Sequence, residues 1–342
     1  EYAVALNNEA ILRFELGRND QAVSSLNKSI ELAAKHINEK GTDFTKLKIN
    51  LAVIYQNQKK YTEAEAIYKE LLELKEKRFG KSSPDYAEIQ NQLAGLYMEL
   101  GRTDEVEGLL TSAVEIYKKK LKEDHPAYAA TLRNLGKYYY FTDQYDKAVA
   151  TFGDVIGIYE RNFGNNHPEY LGTLENMAIT RWKKGETDKA DSTFGALLTK
   201  HMDLLEKYFG AMSENEKGKY WDKVRPSFLA FYNFAAENSS KKPELATRMY
   251  EAHLSTKGIL LSSSVKLRQN ILNSGNQPLI DTYLSWTNLK ESLASYYSLS
   301  KDELKEQKVN LDSLESSANG LERKLNQMSA DFADANKLPS VK

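Results

Sequence analysis

The sequence predicts an all-α protein: a superhelical solenoid of about five stacked helix pairs, then a helical region ending in an antiparallel hairpin. Three observations predict it. The chain repeats every 42 residues without a gap, each repeat holds two stretches of helical apolar spacing, and the C-terminal region carries two seams with matching steps. The repeat shows as columns of residues 42 apart. Ala64, Val106, Ala148 and Ala190 form one, and Tyr68, Leu110, Phe152 and Phe194 another. Pro84, Pro126 and Pro168 form a third, and Leu51, Leu93, Leu135 and Met177 a fourth. Asn8, Asn50, Gln92, Asn134 and Asn176 make a polar fifth. A fixed period in this range marks stacked repeats that contact mainly their neighbours and bind along an extended concave surface.

The elements follow in order. A partial pair begins near Ala3, with Glu9 in the leucine column and Arg13 in the tyrosine column that Tyr55 and Tyr97 occupy. Such irregularity is expected of a terminal repeat, which has one neighbour. Ala22 and Leu26 align with Ala64 and Tyr68, and Gly17 falls just before that helix. Within the regular unit, Ala64, Ile67, Tyr68, Leu71 and Leu74 give a helix over about 62–78, stopped at Phe79-Gly80. Ile89, Leu93, Leu96, Tyr97 and Leu100 give a helix over 86–100, closed by Gly101. The column prolines sit at helix starts, where a missing N–H costs least. His125 and His167 precede two of them and read as turn residues.

The register breaks near residue 209. Phe79-Gly80 and Phe163-Gly164 are 84 apart, two periods, but Phe209-Gly210 follows 46 later. The expected division is therefore a repeat array over 1–209 and a second helical region over 210–342. In the latter, Ser213 with Glu216 and Ser300 with Glu303 have capping-box spacing. Pro226 is expected to kink or split its helix, whereas Pro243 and Pro278 look like first-turn prolines. Leu311, Leu314, Ala318, Leu321, Leu325, Met328 and Phe332 alternate steps of three and four, as do Trp286, Leu289, Leu293 and Tyr296. A short link between two such helices predicts an antiparallel hairpin. The alternative is a homodimer pairing through these C-terminal helices.

Composition narrows the function classes. Among 342 residues, 47 Lys and Arg balance 48 Asp and Glu, a net charge of −1. That lacks the basic excess of a nucleic-acid or membrane-surface binder. No apolar run approaches the roughly 20 residues that span a bilayer. Cysteine is absent, which excludes disulfides, thiolate metal sites and a cysteine nucleophile within this sequence. The five histidines are scattered without metal-ligand spacing, and Ser262-Ser263-Ser264 has no adjacent base. Catalytic residues, metal ligands and cofactors are therefore expected to be none. The chain begins at Glu1, so a signal peptide removed earlier would leave no trace, and the compartment stays open between cytoplasm and periplasm.

The polar column carries the binding expectation. Asn50, Gln92, Asn134 and Asn176 each precede a buried-leucine position on a first helix. An amide donates and accepts together, so it can hold a peptide backbone or bond to a neighbouring helix. On the fourth unit Arg133, Lys137 and Tyr140 add a basic and aromatic surface suited to a carboxylate-bearing segment, with Lys46 adding from the second unit. The alternatives are a structural array without a dedicated ligand, or a receptor with a closed pocket for a small molecule.

The pattern Asn134-Leu135-Gly136 with Tyr139, then Tyr145, Ala148 and Phe152, resembles the long, 42-residue form of the tetratricopeptide repeat found in kinesin light chains. The resemblance covers about residues 3–209. It implies a concave groove lined by first helices, in which the amide column holds a bound peptide. The stretches MSENEKGKYW, LSTKGILLSSSVKLRQNIL, SLSKDELKE and LERKL, over about 207–336, resemble the helical linker of bacterial proteins that join such repeats to a caspase-like CHAT domain. That resemblance implies a regulatory or targeting role in a bacterial, slightly more cytoplasmic than periplasmic, protein. Any peptidase would lie beyond Lys342.

Overall fold

The computed structural model describes residues 2–15, 18–36, 42–209, 214–296, 304 and 307–328, with side chains left undescribed at a few helical positions, chiefly 258–270. Among these residues the regular structure is helical throughout. The chain divides into two compact units, Glu1–Gly185 and Glu186–Lys342. The first holds α1 (Tyr2–Glu15), α2 (Asn19–His36), α3 (Thr42–Asn57), α4 (Tyr61–Phe79) and α5 (Pro84–Glu99). It continues with α6 (Thr103–Leu121), α7 (Pro126–Phe141), α8 (Tyr145–Phe163) and α9 (Pro168–Lys183). The second holds α10 (Thr187–Phe209), α11 (Glu214–Asn238), α12 (Glu244–Leu272), α13 (Gln277–Tyr296) and α14 (Leu311–Met328). The boundary between the units precedes α10, whereas the change of register in the sequence follows it, at residue 209.

In the first unit each helix packs on the next, and the first helices also pack on one another, α1 on α3, α5 on α7 and α7 on α9. That second set of contacts makes the array a stack. Its apolar columns are the buried positions. Ala64, Val106 and Ala148 are fully buried, as are Tyr68, Leu110 and Phe152 one helical turn on. Small and large residues alternate along one face, so neighbouring backbones approach at the small ones and large side chains fill the space between. At the N-terminal end, the irregular pair Glu9 and Arg13 forms an i,i+4 ion pair at 2.7 Å.

Local chemistry sets the ends of each helix. Ser83, His125 and His167 are N-caps, and the imidazole Nδ1 atoms accept from the backbone N–H of Ala127 at 3.1 Å and Glu169 at 3.2 Å. The histidines are thus turn residues, each followed by a proline at the first helical position. The second helices end at Gly80, Lys122 and Gly164, all with φ between 71° and 79° and ψ between 163° and 167°. This backbone region suits glycine almost exclusively, and Lys122 holds it without that freedom. Gly17 lies outside the described residues.

In the second unit successive helices pack in order from α10 to α14. α11 runs unbroken through Pro226, against the expected split. A mid-helix proline costs about 3 kcal/mol, but Val224, Phe228, Phe231 and Phe234 are buried on both sides of it and hold the helix together. Asp191 is buried between two cations, with Lys242 Nζ at 2.8 Å and the Arg248 guanidinium in contact. The terminal hairpin is present within the chain. Leu279 and Tyr283 at the start of α13 share a core with Leu325 and Met328 at the end of α14, which makes the pair antiparallel. The seam on α13 reaches back beyond Trp286 to Leu279. Phe332, both expected capping boxes and the side chains of Ser262–Ser264 lie outside the described residues.

Candidate concave binding site

The site is built from one stripe on each first helix. Steps of three and four along a helix return to the same face. α5 supplies Gly95, Met98 and Glu99; α7 supplies Asn134, Lys137, Tyr140 and Phe141; α9 supplies Asn176, Ile179 and Thr180. With Phe152 of α8 they line an open concavity of about 500 Å³. A neighbouring concavity of about 440 Å³ is lined by Val53, Gln56 and Asn57 of α3, by Lys59 and Tyr61, and by Gln92, Gly95 and Glu99 of α5. Gly95 and Glu99 belong to both, so the two form one groove crossing α3, α5, α7 and α9.

Four of the seven sequence-derived residues, Asn134, Lys137, Tyr140 and Asn176, meet in the larger concavity, and Gln92 lines the smaller. Asn50 and Arg133 line neither. The Asn50 amide donates to Asn7 Oδ1 at 2.8 Å, a bond between α3 and α1. The Arg133 guanidinium pairs with Glu169 at the start of α9. Asn134 has both roles: it lines the groove and donates to Asn91 Oδ1 at 2.9 Å, joining α7 to α5.

The polar column is therefore not uniform, and the reason is its partner position. That position lies 43 residues earlier and holds Asn7, Ile49, Asn91 and Arg133 for Asn50, Gln92, Asn134 and Asn176 in turn. Where it is asparagine, the amides bond across the stack. Where it is isoleucine or arginine, the column residue makes no side-chain bond across the stack among the described residues.

Lys137 is the cation of the larger concavity. Burial of its stem and head pushes the amine below the ordinary lysine range, the nearby Arg133 charge adds to this, and Glu175 opposes it. Among the described residues Lys137 makes no ion pair. An unpaired, half-buried ammonium gains from a carboxylate brought to it. Tyr140 stands beside it, its ring 5.4 Å from Phe141 and 6.0 Å from Tyr145. Burial raises its hydroxyl above the usual phenol range, with Asp143 adding to the shift. The backbone behind is set by Gly136: a Cβ there would stand 2.7 Å from Cε1 of Phe152. The glycine lets α7 sit directly on the ring that backs the groove.

Reasoning from sequence missed Gly95, Met98, Glu99, Phe141, Ile179 and Thr180. The signal was in the repeat. Val53, Gly95, Lys137 and Ile179 are one column, 42 apart, three residues beyond the amides. Their side chains are chemically unlike, so the column does not stand out by eye.

Nothing in the groove pairs a nucleophile with a base. His201 Nε2 and Ser227 Oγ lie 3.2 Å apart in the second unit, but both side chains are buried. Burial holds the imidazole at about 4, below its ordinary range. Among the described residues no cluster of His, Asp or Glu forms a metal site, and no helix is long and apolar enough to cross a membrane.

Comparison with known proteins agrees with the repeat fold. Tetratricopeptide repeat family models match residues 3–36, 43–119 and 85–161. A search of curated proteins finds no match. Among solved structures, a putative kinesin light chain with nearly identical TPR-like repeats from Podosopora anserina superposes with a TM-score of 0.50 at 21% identity, over 60% of this chain and 98% of that one. BtubC (BKLC) from P. vanneervenii gives 0.50 at 22%, over 57% and 78%. A Rap protein solved in complex with Competence and Sporulation Factor gives 0.51 at 14%, over 96% and 75%. At these identities the likeness concerns the fold. Residues 3–36 and 43–161 thus carry tetratricopeptide repeats within an all-helical array, a scaffold type typical of protein–protein interaction.

Proposed function

We propose that the groove across α3, α5, α7 and α9 binds an extended segment of a partner protein. The observation that carries the reading is the shared wall: equivalent positions of successive first helices line two adjoining concavities, with the amides Gln92, Asn134 and Asn176 one repeat apart and Lys137 and Tyr140 on α7. Asn176 and Gln92 offer amide groups to a backbone, and Lys137 with Tyr140 supplies the charged and aromatic contacts that select among segments. The test uses peptides selected from a displayed random library on the intact chain. Replacing Lys137 and Asn176 together by Ala should weaken their binding by about fivefold or more, since each lost bond contributes about 0.5–1.5 kcal/mol net. The melting temperature should stay put. Peptides that bind the double variant at full strength would place recognition elsewhere.

In a longer protein, the resemblance of residues 207–336 to a CHAT-linked helical region supports a regulatory or targeting role for the array. A His and a Cys in a caspase-like α/β pattern encoded after Lys342 would bear on it directly; a continuation without them removes the idea. Self-assembly through the C-terminal helices has less support, because Ala318 and Leu325 of that seam are already buried within the chain.

A further inference from the structure

The outer face of α1 is a surface of another kind. Among the described residues α1 packs on α2 and α3. Val4, Ala5, Asn8, Ile11 and Leu12 are left exposed, and steps of three and four put them on one side of the helix. None of them lines either concavity of the groove, and none is charged. The charged side chains described on α1, Glu9 and Arg13, pair with each other and reach α2 instead. Ser25 Oγ donates to Glu9 at 3.4 Å, and Arg13 donates to the carbonyl of Gln21 at 3.5 Å. An end helix of a stacked array ordinarily shows a polar outer face, which keeps the array soluble.

The repeat shows what kind of face this is. In the column of Leu12 stand Ile54, Leu96 and Tyr138, and in that of Ala5 stand Leu47, Ile89 and Thr131. All six are buried, on helices α3, α5 and α7 that each have the preceding repeat packed on them. Leu12 is 61% exposed. The amides differ in the same way. Asn50 bonds back to α1, whereas Asn8 is exposed, with a 3.5 Å bond from its neighbour Asn7. α1 thus presents one half of a stacking interface.

The order of its side chains identifies the other half. Ala5 and Val4 lie three and four residues before Asn8, and Ile11 and Leu12 lie three and four after it. Two copies of α1 laid antiparallel about a two-fold axis through Asn8 set Ala5 against the second copy's Ile11, and Val4 against the second copy's Leu12. A smaller residue meets a larger one at each step, and no like charges meet. The amides face each other on the axis, where each can donate and accept. A two-fold interface requires this self-complementarity.

We infer that a second copy of this chain docks on the outer face of α1, antiparallel about Asn8, so that the protein is a homodimer through its N-terminal helices. Two helices of 14 residues cover less than the about 1,200–2,000 Å² of a stable complex, so the dimer is reversible and forms as concentration rises.

The absence of cysteine makes the arrangement directly testable. Single thiols are placed in the full chain as Asn8→Cys, Val4→Cys and Leu12→Cys, with Lys119→Cys, exposed on α6, as the control. Each is checked for an unchanged melting curve and oxidised at a concentration where the wild type sediments as a dimer. Asn8→Cys should cross-link to itself. Val4→Cys and Leu12→Cys should cross-link when mixed and far less when alone, and Lys119→Cys should not cross-link. Leu12→Glu should weaken the dimer at least about tenfold, because each copy would bury an unpaired carboxylate; Leu12→Gln replaces it if the fold is lost. A monomeric mass at every concentration would overturn the inference, as would a dimer that Leu12→Glu leaves intact. Self-cross-linking at all three α1 positions alike would show parallel helices and overturn it too.

Discussion

Lys122 holds a backbone conformation that its two repeat equivalents meet with glycine, and replacing it by glycine should stabilise the first unit. φ and ψ are 71° and 164° at Lys122, 78° and 163° at Gly80, and 79° and 167° at Gly164. A residue with a Cβ in this region carries about 1–3 kcal/mol of strain. Glycine removes the strain but gives the unfolded chain more freedom, which costs about 0.4–1 kcal/mol. The difference leaves Lys122→Gly more stable by about 1 kcal/mol, or about 2–4 °C in melting temperature for a unit of this size. The exchange is clean, because the Lys122 side chain is exposed and makes no ion pair among the described residues. The reverse substitutions are internal controls. Added Cβ atoms at Gly80 and Gly164 would meet nothing within 4 Å, so Gly80→Lys and Gly164→Lys test the backbone term alone and should each lower the melting temperature. Thermal unfolding followed by circular dichroism measures all three. A lower melting temperature for Lys122→Gly, or no change in either control, would refute the strain argument.

Three further outcomes follow from particular contacts. Asn134→Ala should cost about 0.5–1.5 kcal/mol in urea unfolding, because it breaks the bond to Asn91, whereas Asn176→Ala should stay within about 0.5 kcal/mol; equal costs would show that the column is uniform after all. Ala148 is fully buried against Phe152 and Met177, so Ala148→Leu should overpack α8 against its neighbours and cost about 1–3 kcal/mol, with an unchanged melting temperature arguing against the packing. His201 is held at about 4 by burial, below its ordinary 6.5, so the unfolded chain binds the extra proton first. Its stability contribution is full above pH 6.5 and is lost as the pH falls toward 4, about 3 kcal/mol in all. His201→Gln should flatten that part of the acid profile, and a profile identical to wild type would sink the assignment.

The sequence by itself determined the class of the molecule. A 42-residue period fixes which positions are equivalent, and equivalence with helical spacing is enough to place Ala148, Phe152 and Met177 in a core and His125 and His167 at helix starts. Those features depend on neighbours within one repeat, and a repeat carries its neighbours with it. The hairpin of α13 and α14 was legible for a similar reason, since two matching seams adjacent in the sequence have each other as nearest partners, although residues 297–310 between them make a longer link than expected.

Tertiary structure decided what the polar column does. Asn50 and Asn134 bond across the stack because asparagine stands 43 residues earlier, at Asn7 and Asn91, while Gln92 and Asn176 find Ile49 and Arg133 in that place. The period aligns residues 42 apart, but side chains lean along their helices, so the partner across the stack falls one position off the column. Gly95 was hidden for another reason: its column, Val53, Gly95, Lys137 and Ile179, mixes unlike side chains, although all four line the groove. Pro226 could be judged from sequence only by its own helix, whereas the buried Val224, Phe228, Phe231 and Phe234 on either side of it accompany a helix that continues. Local pattern selects helices and caps because their energies are local. A groove is a property of several helices at once, and only their packing shows which side chains reach one another and which are left facing open space.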